Sequence, residues 1–212
     1  MSTKLRVLAT VGGIAVASMV VSQAANLLSN GDFETPSLAG QTQGTYGPGA
    51  TFGGWTVSGA NVGLYTDAWD QNPNQVIADE QSLYFDVPGA AIWQTVPLSP
   101  GDYTLSFKAA ALNTGTYRIA YTVVGNGGAP GGTAYVPYNI VSGHTVAPSY
   151  NTWSTTFTVS TSDSVKITFM GVSEDPQAAL DDVSLVPEPE TYALVAGLGL
   201  MLFAGYRRFR KA

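Results

Sequence analysis

Acidic residues set close together are the groups in this chain with most capacity for chemistry: Asp67 with Asp70, Asp79 with Glu80, and Glu174 with Asp175. A carboxyl pair can hydrolyse a glycoside when one member stays protonated, the other ionises, and a fixed distance across the bond separates them. Adjacency along a chain does not set that distance, and no acid here sits in an apolar run that would hold it protonated. Nucleophilic catalysis has less to stand on. The chain has no cysteine, and its one histidine, His144, lies in a Gly/Pro-flanked stretch without a serine elbow or a second histidine one helical turn away. The expectation is a noncatalytic protein, with glycoside hydrolysis as the enzymatic competitor.

Binding has better material. Tyr65, Trp69, Tyr84 and Trp93 lie in or beside segments carrying Asp67, Asp70, Asn72, Asn74 and Gln75. Aromatic rings can stack on a pyranose face while amides and carboxylates bond its hydroxyls, so these four are the candidate carbohydrate contacts. Trp55, Trp93 and Trp153 also occupy strand-like runs, where aromatic side chains usually face a core. Trp93 therefore carries both readings. A purely structural surface protein would bury all of these rings and expose Thr, Ser and Asn.

The elements that must position these residues read as strands. Tyr103, Leu105, Phe107 and Ala109 alternate with Thr104, Ser106 and Lys108, which gives one apolar and one polar face at period two. The same rule places Leu83, Phe85 and Val87 opposite Ser82, Tyr84 and Asp86, and Tyr117, Ile119, Tyr121 and Val123 opposite Arg118, Ala120 and Thr122. It also covers Trp153–Val159 and Val165–Phe169. Turn signals at Val87-Pro88-Gly89, Ser99-Pro100-Gly101-Asp102 and Asn113-Thr114-Gly115 separate these runs, and the glycine-rich 125–132 stretch reads as a hairpin loop. About eight short strands with such punctuation predict an all-β, two-sheet antiparallel sandwich of jelly-roll type.

The termini have a different composition. Lys4 and Arg6 precede an apolar run from Val7 to Val21, and Ser22-Gln23-Ala24 offers small residues for cleavage, which reads as a signal peptide over 1–25. An uncleaved membrane helix is the alternative. At the other end Pro187-Glu188-Pro189 leads into an uncharged run, Tyr192–Tyr206, and then Arg207, Arg208, Arg210 and Lys211. Prolines hold Glu188 in extended backbone, expected to protrude clear of any sheet ladder. As a helix the run would rise about 22 Å at ~1.5 Å per residue, short of a ~30 Å hydrocarbon core, so it is a marginal transmembrane helix. The basic tail, 207–211, should remain cytoplasmic. A simple tail anchor would satisfy these features as well.

Three cations and fourteen carboxylates fall between Asn26 and Glu188, so that span carries −11 although the whole chain carries −6. Such a surface repels nucleic acid and anionic headgroups and suits neutral sugars or divalent cations. Without cysteine, disulfides and thiolate zinc sites are excluded, and stability must come from packing or from metal.

The order Pro-Glu-Pro, apolar run and basic plug over 187–212 resembles the PEP-CTERM sorting signal of exported bacterial proteins. The resemblance implies an exosortase-type membrane enzyme as partner, acting at Pro187, Glu188 and Pro189. It further implies transient inner-membrane anchoring and delivery to the cell surface or extracellular matrix, where such proteins accompany exopolysaccharide and biofilm. Asn26-Leu27-Leu28-Ser29-Asn30-Gly31-Asp32-Phe33-Glu34, Gly54-Trp55, Ile92-Trp93-Gln94 and Leu180-Asp181-Asp182-Val183-Ser184-Leu185 resemble the strands of carbohydrate-binding-module jelly rolls of the galactose-binding-like superfamily, over 26–186. That likeness implies a structural Ca2+ near the first and last strands, with Glu34 and Asp181 as its acidic ligands and carbonyls near Asp32 and Gln81 completing the shell. By parity Asp181 shares a face with Val183 and Leu185 and is expected to point toward the core, with Asp182 outward. Its alternative role is to accept backbone N–H bonds.

Overall fold

The computed structural model describes residues 25–38, 41–66, 81–111, 114–145, 150–172 and 177–188, together with Tyr206. The expected signal peptide up to Ala24, Pro189, the apolar run up to its last residue and the basic tail lie outside the described residues. Among those described, no helix is long and apolar enough to cross a membrane.

The chain forms an all-β sandwich of two antiparallel sheets, an arrangement consistent with a jelly roll. Its strands are β1 (Gln43–Tyr46), β2 (Thr51–Phe52), β3 (Trp55–Gly59), β4 (Val62–Thr66), β5 (Gln81–Phe85) and β6 (Ala90–Leu98). They continue as β7 (Gly101–Ala111), β8 (Tyr117–Val124), β9 (Ala134–Gly143), β10 (Asn151–Val159), β11 (Asp163–Gly171) and β12 (Ala178–Pro187). The first sheet runs β1-β4-β5-β12-β7-β10 and the second β2-β3-β6-β11-β8-β9. The 125–132 stretch joins the paired strands β8 and β9, as a hairpin loop should.

Period-two alternation accounts for most of the core. Leu105, Phe107 and Ala109 from β7 meet Val165, Ile167 and Phe169 from β11 and Ile119 and Val123 from β8, all buried in one cluster. Phe169 lies edge-on to Trp55 and Phe107, with ring centroids 6.2 and 5.0 Å away. Side chains from two inner faces therefore interlock across a layer about 10 Å thick. Trp55 belongs to this core, and Trp153 packs against it from partial burial. Trp93 does not: its neighbours Ile92 and Gln94 are buried, and the indole stands on the opposite, outer side of β6.

A second departure from simple alternation lies in β12. Its register against β7 shifts between Asp181 and Ser184, and Asp182 adopts φ 47°. The extra residue lets Leu180, Val183 and Leu185 all enter the core while Asp181 leaves it. Parity counted straight through the strand fails at this bulge, because one inserted residue exchanges the two faces beyond it.

The N-terminal segment closes against the far half of the same strand. Leu27 N–H donates to Leu185 O at 2.8 Å, Val183 N–H to Gly31 O at 2.8 Å, and Asn26 Nδ2 to Val183 O at 2.8 Å. Gly31 must be glycine, since a Cβ there would lie 1.9 Å from Val183 O. Gly31→Ala is expected to destabilise by about 1–3 kcal/mol, the usual scale for forced overpacking, read as a lowered denaturant midpoint at unchanged slope.

Candidate functional site

The outer face of the first sheet carries a buried cluster separate from the core: Tyr65, Tyr84, Ala110 and Ala179, with half-buried Tyr150 against them. Tyr65 and Tyr84 meet edge-on at 4.7 Å. Tyr65 O–H donates to Asp86 at 3.0 Å, and Gln177 Nε2 donates to the same oxygen at 3.2 Å. Alternation had put Tyr84 on a solvated face, yet it is 1 % exposed and Ser82 beside it is 0 %. Neither ring offers a free surface to a sugar. Burial pushes the Tyr84 hydroxyl well above its ordinary value, and the charges of Tyr150 and Asp181 push further. Burial likewise raises Tyr65, aided by Asp86, and raises Tyr150, aided by Asp181. Burial also raises the Asp86 carboxyl, against the opposing hydrogen bond from Tyr65.

Asp181 is held inside this cluster. Its Oδ1 accepts the Asp182 N–H at 2.6 Å and its Oδ2 accepts the Ser82 hydroxyl at 3.3 Å. Asp182, within the bulge, pairs with Lys108 at 2.5 Å. Glu34 accepts the Gln81 N–H at 2.7 Å. The Gln81 side chain in turn ties down the 33–38 segment, accepting the Leu38 N–H and donating to Phe33 O and Pro36 O. Calcium needs six to eight oxygens. Among the described residues no group of three or more acidic or histidine side chains converges, and Glu34 and Asp181 each serve as hydrogen-bond posts. Two carboxylates supply at most four of those oxygens, so a calcium ion held by Glu34 and Asp181 would also need backbone carbonyls. Asp79 and Glu80, next in sequence to Gln81, lie outside the described residues.

The second sheet presents a different outer face. Cross-strand pairing aligns Thr51 with Thr56, Thr56 with Trp93, Trp93 with Thr168, and Thr168 with Thr122. Five strands thus contribute one row, Thr51–Thr56–Trp93–Thr168–Thr122, about 19 Å long at the usual ~4.8 Å strand spacing. Thr51 is exposed and the other four are partly exposed. Lys166 places its ammonium 4.3 Å from the Trp93 ring centroid. The alternation rule already assigned Thr122 and Thr168 to the polar phase, but their alignment depends on register, which no local pattern in the sequence specifies.

The candidate carbohydrate contacts are therefore not one platform. Tyr65 and Tyr84 lie on the first sheet and Trp93 on the second, on opposite sides of the sandwich. Trp69 lies outside the described residues, as do Asp67, Asp70, Asn72, Asn74, Gln75, Glu174 and Asp175. His144 is exposed, with Nε2 2.7 Å from the Thr116 hydroxyl. Pro187 and Glu188 are tied to the sheet rather than protruding from it. Pro187 pairs with Tyr103 as the last residue of β12, Glu188 N–H donates to Asp102 O at 2.8 Å, and the Glu188 carboxylate accepts the Thr104 hydroxyl. A proline is tolerated at a strand end, where its missing N–H is not needed.

Fold and surface together define an all-β sandwich module whose first sheet carries a buried tyrosine cluster and whose second sheet presents a threonine–indole row. The sequence matches the family described as Protein of unknown function (DUF642) over residues 26–185, and the chain belongs to that family. No curated protein matches it. Similar solved structures include one described as "CBM4 structure and function", at 20% identity, 76% of this chain, 99% of that chain and TM-score 0.49. Another is TmCBM61 in complex with beta-1,4-galactotriose, at 18% identity, 78% of this chain, 100% of that chain and TM-score 0.47. A third is the CBM22-1 xylan-binding domain from Paenibacillus barcinonensis Xyn10C, at 13% identity, 68% of this chain, 92% of that chain and TM-score 0.46.

Three tyrosines with raised folded-state values link stability to alkaline pH. Below the ordinary value of 10.0 both folded and unfolded states keep their phenolic protons, and this contribution is fully present. Above it the unfolded chain releases protons that the folded cluster retains, so stability falls as pH rises. Denaturation measured across that range should show the fall, with a shallower slope for Tyr84→Phe.

Proposed function

We propose that this chain is an exported, noncatalytic module of the cell surface or extracellular matrix that associates with polysaccharide through the outer face of the second sheet. The observation that carries the reading is the row Thr51–Thr56–Trp93–Thr168–Thr122. It joins one partly exposed indole to four hydroxyls at regular spacing on a sheet face, a geometry that can stack one sugar ring and hydrogen-bond its neighbours along a chain. The strands hold these side chains without rearrangement, so little ordering cost opposes binding. The terminal segments support delivery. A basic-apolar-small start and a Pro-Glu-Pro, apolar, basic end suit export, exosortase-type processing at Pro187, Glu188 and Pro189, and transient residence in the inner membrane.

The second reading, a structural surface protein without specific ligand, is favoured by the burial of Tyr65 and Tyr84. Titration of the full chain against a panel of soluble polysaccharides separates the two. The expected result is saturable binding that Trp93→Ala weakens about tenfold, ~1.4 kcal/mol, with melting temperature preserved. The row contains no carboxylate, so the binding should persist in a chelator. Absence of binding to every polysaccharide, or binding indifferent to Trp93→Ala, would leave the structural reading.

A further inference from the structure

We propose that the outer face of the second sheet takes an acidic polysaccharide, a chain of sugars bearing carboxylates, with Trp93 as the stacking surface and Lys166 as a carboxylate partner. This rests on the reading above and adds the charge class of the ligand.

Charge placement carries the inference. Between Asn26 and Glu188 the chain has only three cations, Lys108, Arg118 and Lys166, against fourteen carboxylates. Lys166 projects from the outer face of the second sheet because Val165 and Ile167 on either side are core, and Arg118 does so because Tyr117 and Ile119 are core. The third cation, Lys108, lies on the first sheet and pairs with Asp182. The strands of the second sheet contain a single acid, Asp163. It stands at the start of β11 in phase with core-facing Val165, accepting the Asn126 N–H at 2.7 Å and the Tyr135 hydroxyl at 2.8 Å. Among the described strand residues, then, this outer face bears two cations and no carboxylate. The strands of the first sheet carry Asp102, Asp181 and Asp182. In a span of net charge −11, an anionic polymer is repelled from most of the surface and drawn to this one side.

The chemistry of the face favours a glycan among anionic polymers. Its central row is four threonines and one indole, groups that meet hydroxyls and a C–H ring face. A protein partner would be expected to require a larger dry apolar centre. Two cations are too few to hold a nucleic acid at physiological salt. Lys166 stands one register step from the row, since it pairs with Thr95 and Val124 while Thr168 pairs with Trp93 and Thr122. Its ammonium already lies over the indole, in a cation–π contact that is weak at exposed sites. A uronate crossing Trp93 can replace that contact with a charge-assisted hydrogen bond while its ring stacks on the indole.

Affinity electrophoresis of the full chain through polygalacturonate, and through the same polymer after carboxyl reduction, tests this. The expected result is retardation by the acidic polymer alone, weakening with added salt as exposed charge attraction is screened. Lys166→Gln should raise the dissociation constant about fivefold and Lys166→Glu should abolish binding, whereas Lys108→Gln should leave it unchanged. Lys166 lies on the surface, so its variants should keep the wild-type melting temperature; they provide a readout even if Trp93→Ala fails to fold. Equal binding of the carboxyl-reduced polymer, still lost in Trp93→Ala, would overturn the acidic class and leave polysaccharide binding standing. Failure of both polymers and of the wider panel would overturn both. Equal retardation by polyglutamate would reduce the face to a generic anion patch and overturn the glycan assignment. Undiminished binding by Lys166→Glu would remove Lys166 from the account.

Discussion

The insertion of β12 between β5 and β7 is the constraint on which the first sheet depends. β1, β4 and β5 form one half of that sheet and β7 and β10 the other, and in the strand order the two halves meet through β12. β12 pairs with β5 only over Ala178–Leu180, while its pairing with β7 continues to Pro187. Past the bulge the N-terminal segment takes the side that β5 leaves open, through Asn26, Leu27 and Gly31. The beginning and end of the 26–188 span therefore complete one sheet together. Such long-range pairing carries a high closure entropy and must be offset by burial, which Leu180, Val183 and Leu185 supply.

The bulge in that strand separates two kinds of outer surface. Beside it Asp181 lies with Tyr84 and Tyr150 in a buried polar cluster on the first sheet, where Asp181 accepts the Ser82 hydroxyl and the Asp182 N–H while the buried Tyr150 hydroxyl has no hydrogen-bond partner among the described residues. That part of the face is covered, whereas Ser154, Thr156 and Thr158 of β10 on the same sheet are exposed. The second sheet has no such cluster among the described residues, and along β11 and from Ile92 to Leu98 of β6 its side chains alternate from core to surface, which keeps Trp93 and its threonine neighbours partly exposed. The tyrosine cluster cannot meet a large, extended ligand without local unfolding, whereas the row through Trp93 can.

The alternation of Leu105, Phe107 and Ala109 against Thr104, Ser106 and Lys108 was legible in the sequence, because a half-buried strand leaves that mark directly. So was the two-sheet antiparallel architecture. Parity misplaces Asp181 because a bulge leaves no local mark in Leu180-Asp181-Asp182-Val183, and it cannot be carried through an inserted residue. Tyr84 was placed on a wet face because alternation reports only one covered side, whereas β5 is covered on both. Trp93 was drawn toward the core by its residue type, yet its phase between Ile92 and Gln94 puts it outside. The threonine row escaped notice because register between strands distant in sequence is a tertiary property. Pro187 and Glu188 read as protruding because proline opposes ladder bonding, although Pro187 at a strand end gives up nothing by lacking its N–H.

Backbone amide and indole shift mapping by NMR, during titration of the full chain with a soluble uronate oligosaccharide, tests the central claim most directly. The account requires saturable shifts concentrated at Thr56, Trp93, Thr122, Lys166 and Thr168, with Tyr65, Tyr84 and Asp181 undisturbed. Shifts centred on that tyrosine cluster, or a titration that moves neither face, would contradict it.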